Sequence, residues 1–273
     1  MALHSQPASP LRLQARTRHL GRGLLLGLGL ALVLGSAAEA PAMLAVDPLT
    51  GPRAPLNKDW IGRRLLATGT PILVMAGHAD SQGMAGSGTS GEAVDLFGAP
   101  PMLNGIRDEL YWNLLTAERV VTLGRQRGLP ISLYVPPLRS IADGDDPRTN
   151  WSVGKEHVRR GGYALEIHYD AYGPDGFGSG LIPPLHRSPS LLDESLAAAF
   201  GAFPFQFRGG LGAPRRGIAI LEIGKLESPL ESALRDPGSR DAALNAIAER
   251  VVTALEQGIS TEQRREPMRR PQS

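Results

Sequence analysis

An α/β domain with a central, mostly parallel sheet is the fold class this 273-residue sequence predicts, and three observations predict it. Four short apolar runs, at 71–76, 131–135, 163–168 and 217–222, have the length and bounding residues of strands. Between and after them lie segments with apolar residues at helical spacing. Strands that alternate with helices in this way build a helix-flanked sheet in a single layered domain.

Taken in order, Ile72-Leu73-Val74-Met75-Ala76 is a continuous apolar run, as a strand buried on both faces requires. It stops at Gly77-His78. A Gly/Ser/Pro-rich stretch over 79–104 follows, and a loop of that length inside a domain is a candidate for function. Ile106, Leu110, Leu114, Ala117 and Val120/Val121 then recur at helical spacing, and Gly128 closes a helix over 104–127. Ile131 to Val135 alternates as a strand ended by Pro136-Pro137. A short helix is expected near 153–160, and Tyr163 to His168 forms the third strand. A Gly/Pro loop over 170–186 leads to a helix at 191–203. Gly217 to Glu222 is the fourth strand, and 242–255 is a closing amphipathic helix. No internal repeat is present.

Four regions are expected. Residues 1–42 hold Arg12, Arg16, Arg18 and Arg22, then a short apolar run, then small residues ending in Ala40-Pro41-Ala42. That is the order of a secretory signal peptide, with an uncleaved anchor as the alternative. Residues 43–70, rich in Pro, Gly and Arg, read as a linker or lead-in; 71–258 is the domain, and 259–273 is a charged, disordered tail. The four arginines against Glu39 give the leader +3, which leaves the remainder at −1 out of a net +2. The basic balance therefore belongs to the leader, and no nucleic-acid surface is indicated. Cysteine is absent, which excludes disulfides, thiolate metal sites and a cysteine nucleophile. The expected location is the periplasm or cell envelope, with membrane attachment only through the leader.

Three of the four strands end in residues suited to metal chemistry: His78, His168 and Glu222. Glu109 stands in the first turn of the long helix, where a carboxylate also complements the helix dipole. Two histidines and one carboxylate form the protein shell of a hydrolytic zinc site. A second carboxylate then acts as general base toward water. The residues alone do not decide which glutamate plays which part.

The pattern resembles the zinc-dependent N-acetylmuramoyl-L-alanine amidases of the Amidase_3 family. The resemblance rests on Gly77-His78, on Glu109 with Asn113-Leu114 and Ala117, on His168-Tyr169-Asp170-Ala171, and on Leu221-Glu222-Ile223-Gly224. Their order and spacing agree across about 71–258. The resemblance implies a phosphorylase/hydrolase-like fold and one zinc ion per chain held by His78, Glu109 and His168, with Glu222 as the catalytic glutamate. It implies hydrolysis of the amide between the muramoyl lactyl group and the peptide of peptidoglycan. A zinc amidohydrolase acting on another N-acyl amino acid or peptide is the alternative, as is an inactive cell-wall-binding relative. A regulatory partner is left unnamed.

The sequence departs from the family where substrate is gripped. Ala79-Asp80 replaces the usual glycines, Asp170 replaces an asparagine, and Lys225 and Ser228 stand where Phe and Asn are common. Asp80, Asp170 and Asn113 are candidates for supporting the ligands or touching substrate. Glu166 is read as a solvent-facing strand residue, with orientation of a ligand as its other reading. His157 and His186 are expected on the surface, with His186 a candidate substrate contact. The glycines at 83–91 lack the Gly-Lys-Ser/Thr of a phosphate cradle. No G-x-S-x-G elbow supports a serine nucleophile. Asn150-Trp151-Ser152 is read as a chance glycosylation sequon.

Overall fold

The computed structural model describes residues 46–67 and 69–265. The expected leader at 1–42 lies outside the described residues, as does the end of the expected tail, 266–273. The strands are β1 (Ile72–Ala76), β2 (Ile131–Tyr134), β3 (Tyr163–Asp170), β4 (Gly180–Ile182) and β5 (Ala219–Lys225). They form one sheet in the order β2-β1-β3-β5-β4, parallel except for β4 against β5. The helices are α1 (Glu92–Asp95), α2 (Asp108–Gln126), α3 (Asn150–Arg159), α4 (Leu191–Phe200), α5 (Gly212–Arg215), α6 (Leu230–Arg235) and α7 (Arg240–Arg265).

The strands are apolar on both faces because both faces are covered. Ile72, Val74, Leu165, Ile167 and Leu221 point into the larger core, with Leu110, Val120, Leu196, Ile247 and Val251 supplied by α2, α4 and α7. Leu73, Met75, Ala164, Ile218 and Ile220 alternate to the other face and meet Phe203, Phe207 and Ala213. That second face is covered only thinly, by α3 and α5. Glu166 and His168 share the parity of Ala164, and Glu222 that of Ile220, so all three belong to the thin side. A cleft is left there because little covers it.

Local chemistry sets the helix ends. Thr149 caps α3 by accepting from the Ser152 N–H, and Ser190 and Asp193 form a reciprocal capping box on α4. Helix α2 begins at Asp108 rather than 104, because Gly105 adopts φ 88° and Arg107 is extended. Helix α4 ends at Phe200 rather than 203, where Gly201 takes φ 103°. Among the described residues no helix is long and apolar enough to cross a membrane.

Several expectations are corrected. His168 and Glu222 do not end their strands: β3 continues to Asp170 and β5 to Lys225, which pair across a local irregularity after His168. Strand β4 was hidden in the Gly/Pro loop, being only three residues long. The lead-in is packed rather than loose. Trp60 is buried and donates from Nε1 to the Phe203 carbonyl at 2.8 Å, Lys58 pairs with Glu194, and Asp47 with Arg250. The closing helix runs to Arg265, so 259–265 is helical rather than disordered. Glu262, Gln263, Arg264 and Arg265 are good helix formers, and Pro267 is the first residue that opposes continuation.

Candidate metal centre

The site is built at the carboxyl end of the sheet, where β1 stops beside β3. His78 follows β1 in a left-handed conformation, φ 61°, which is rare for a residue with a side chain and turns its ring back toward β3. The carbonyls just before it are fixed from two directions. Asn113 on α2 donates from Nδ2 to the Gly77 carbonyl at 3.0 Å, and Asn150 on α3 donates from Nδ2 to the Ala76 carbonyl at 2.6 Å. Gly77 is needed for a steric reason: a Cβ there would lie 2.2 Å from the His168 ring.

His78, Glu109 and His168 converge. His78 Nε2 lies 3.1 Å from Glu109 Oε1, and His168 Nδ1 lies 3.2 Å from the same oxygen. The two imidazoles meet edge to face, with centroids 4.8 Å apart. One ligand atom from each of the three residues lies within 4.8 Å of the others. Tetrahedral ligands at zinc–ligand distances near 2.1 Å stand roughly 3.4 Å apart, so the separations of 3.1 and 3.2 Å are close to those of such a shell. The group could hold a metal ion. The other Glu109 oxygen accepts from the Thr89 N–H at 2.8 Å. This bond draws the 79–104 loop over the site, and Gly88 sits so close that a Cβ would lie 2.9 Å from Glu109 Oε2.

The electrostatics follow from this crowding. Burial alone would raise the Glu109 carboxyl, but the charge and hydrogen bonds of His78 and His168 outweigh it and hold it well below the usual range. Burial opposes a charged His168, yet Glu109, Glu166 and Glu222 together raise its pKa well above the ordinary value. Glu222 behaves in the opposite way. Burial, reinforced by Asp170 and Glu109 and opposed by His168, pushes its carboxyl up to about 8. Its Oε2 is shielded and has no hydrogen-bond partner among the described residues. Two carboxylates driven apart in this manner suit the division of labour between ligand and proton carrier.

The supporting candidates divide. Asn113 buttresses the β1 terminus as described. Asp80 does not touch a ligand through its carboxylate: Oδ2 accepts from the Asn150 N–H at 2.7 Å, at the start of α3. Asp170 is spent on the loop after β3, accepting from Ala171, Phe177 and Gly178 N–H groups, and so shapes backbone rather than a ligand. Glu166 is not solvent-facing. It is 3% exposed, and its Oε2 lies 3.5 Å from His168 Nε2, the ring nitrogen remote from Glu109. The signal for this was the i, i+2 spacing to His168, which puts both side chains on one face of a strand. His186 is exposed and lines a different depression with Trp60 and Arg187. His157 is half-buried and within 2.9 Å of the Pro71 carbonyl. Asn150 is 2% exposed with its amide on Ala76, which closes it to glycosylation.

A cavity of about 460 Å³ opens beside the triad. His78, His168 and Glu166 line it together with Met84, Ile141, Trp151, Leu211 and Ala213. Sequence reasoning missed these apolar residues, because they come from three separate loops and two short helices.

No family model matches the chain, and no curated protein matches it. Solved structures similar to it include three N-acetylmuramoyl-L-alanine amidases. AmiC2 of Nostoc punctiforme is 14% identical with a TM-score of 0.45, covering 71% of this chain and 99% of its own. The catalytic domain of CwlV from Bacillus (Paenibacillus) polymyxa var. colistinus is 19% identical with a TM-score of 0.43, covering 71% and 98%. Ami1 from Mycobacterium smegmatis is 16% identical with a TM-score of 0.43, covering 72% and 100%.

Proposed function

We propose that this chain is an exported zinc-dependent amidase that hydrolyses the N-acetylmuramoyl-L-alanine bond of peptidoglycan. One observation carries the reading. Gly77-His78, Glu109, His168 and Glu222, which resemble the amidase motifs in the same order, lie together at the carboxyl edge of one sheet, three of them converging as ligands would. In that reading His78, Glu109 and His168 hold one zinc ion. When bound, zinc supplies Lewis acidity at the scissile carbonyl and lowers the pKa of water.

The chain's own groups do the rest. Glu222 takes a proton from water as the water oxygen attacks the amide carbon. It then delivers that proton to the amine nitrogen as the C–N bond breaks, leaving a carboxylic acid and a free amine. Burial, which disfavours the charged form of Glu222, strengthens it as a proton acceptor. Asn113 and Asn150 hold the β1 terminus, and with it His78, in place.

The apolar cavity favours a second reading, a zinc amidohydrolase acting on another N-acyl amino acid or peptide. The test is mass spectrometry of purified peptidoglycan digested with the zinc-loaded protein, with and without a chelator. Release of peptides with free amino-terminal L-alanine, abolished by the chelator, supports the peptidoglycan reading. Intact linkages with hydrolysis of simple N-acyl amides turn the assignment to the second reading. Sedimentation with peptidoglycan and no hydrolysis at all would make the chain a wall-binding relative.

A further inference from the structure

We infer that the 460 Å³ cavity between α3, α5 and the metal triad is a binding site for an uncharged apolar group of the amide substrate. The inference rests on the amidase reading for its place in catalysis, but not for the binding itself. The volume lies within the range of pockets that enclose small-molecule ligands. It is lined by Met84, Ile141, Trp151, Leu211, Ala213 and Ile220 together with His78 and His168 of the proposed ligand group. A group seated there is therefore attached within reach of the ligand set.

The charged residues lining the cavity are carboxylates apart from the two histidines. Asp80 and Glu166 are present, and no lysine or arginine is among the lining residues. Neither carboxylate is spare, since Asp80 accepts from the Asn150 N–H and Glu166 faces His168. Away from the ligand group, an anionic group would meet two like charges and no lysine or arginine, at the cost that burying an unpaired charge carries. An apolar group loses nothing and gains the burial of its surface.

The principal wall is also pre-set. The Trp151 ring is stacked under the Arg216 guanidinium, 4.4 Å from its centroid. Gly212 and Gly144 make room for it. A Cβ on Gly212 would lie 2.4 Å from the ring, and one on Gly144 3.3 Å from it. An aromatic wall held this way needs no rearrangement on binding, which lowers the entropy lost. The same chemistry has two sources, the acyl chain or the side chain on the amine part.

The test has a binding arm and a hydrolysis arm. Octanamide is titrated calorimetrically into the full chain, into Leu211→Asp at the half-buried wall, and into Ala142→Asp. Ala142 lines the cavity from an exposed position, so that variant keeps the test valid if Leu211→Asp does not fold. Saturable binding weakened at least tenfold in a folded variant is expected. Absent binding, or equal binding in the variants, overturns the inference. With zinc, hydrolysis of N-octanoyl-, N-acetyl- and N-succinyl-L-alanine amide is compared with that of N-acetyl-L-leucine amide. Each buried methylene is worth about fourfold, so the octanoyl compound, with six more methylenes than the acetyl one, should exceed it in kcat/KM by roughly 10³-fold if the acyl chain is buried in the cavity. Preference for the leucine amide assigns it to the amine side. Equal rates across the series overturn the inference while leaving the amidase reading standing. Octanamide binding with no hydrolysis of any amide or of peptidoglycan does the reverse.

Discussion

His168 on β3 and Glu222 on β5 are register partners across adjacent parallel strands. The pairing fixes the proposed ligand and the proposed proton carrier on one face of the sheet, one strand apart, with backbone hydrogen bonds rather than loops holding their spacing. Rigid elements hold a catalytic constellation more closely than loops do. Glu222→Gln preserves shape and removes the proposed base, so amide hydrolysis should fall by roughly 10²- to 10⁴-fold. Zinc stoichiometry and thermal midpoint should stay at wild-type values. A variant that keeps its turnover would remove Glu222 from the reaction.

Glu166 stands on the other side of the same imidazole. With Glu109 at Nδ1 and Glu166 at Nε2, the His168 ring is held from both edges. Carboxylates behind a ligating histidine fix its tautomer, and their loss commonly costs 10- to 100-fold in metal affinity. Glu166→Gln is therefore expected to weaken zinc by roughly that factor in a competition titration with a chromophoric chelator. Affinity equal to wild type would mean that Glu166 is packing alone.

Gly77 makes a prediction from sterics. A Cβ placed 2.2 Å from His168 Cε1 and Nε2 cannot be accommodated unless the ring or the end of β1 moves. Gly77→Ala should cost about 1–3 kcal/mol in chemical denaturation, as over-packing does. It should also lose stoichiometric zinc, measured by metal analysis of the folded variant. Full zinc content would show that the imidazole has another place to go.

The strands that carry the site were legible because each is a short apolar run bounded by Gly, Pro or polar residues. His78 and Glu109 stood out for the same reason, one just beyond a strand and one just inside a helix. What periodicity could not supply was pairing. Only the register of β3 and β5 shows that His168 and Glu222 are neighbours inside strands rather than at their ends. Glu166 was misjudged because burial on the thin face depends on α3 and α5. Neither α5 nor β4 carries enough residues to register in a sequence window. The cavity was invisible for a related reason: its walls come from loops near 84, 141 and 211, brought together only by the fold.

The last prediction concerns the loop that covers the site. Glu231 on α6 is buried and accepts from the Ala93 N–H at 3.0 Å, tying α1 and its loop to the body of the domain. Burial, with the charges of Asp108 and Glu92 adding to it, pushes its carboxyl up to about 7, against the opposing Ala93 bond and Arg235. An unfolded glutamate titrates near 4.5. Below that pH both states are protonated and the group contributes no difference. As pH rises toward 7 the unfolded chain releases its proton first, so stability falls across this window, and above it the whole penalty is present. The penalty is on the order of 3 kcal/mol. Glu231→Gln keeps an oxygen for the Ala93 N–H and carries no charge. It should exceed wild type in urea stability at pH 8 and converge with it toward pH 4.5. Parallel stability curves for the two proteins from pH 4.5 to 8 would show that Glu231 ionises in the folded chain as freely as in the unfolded one.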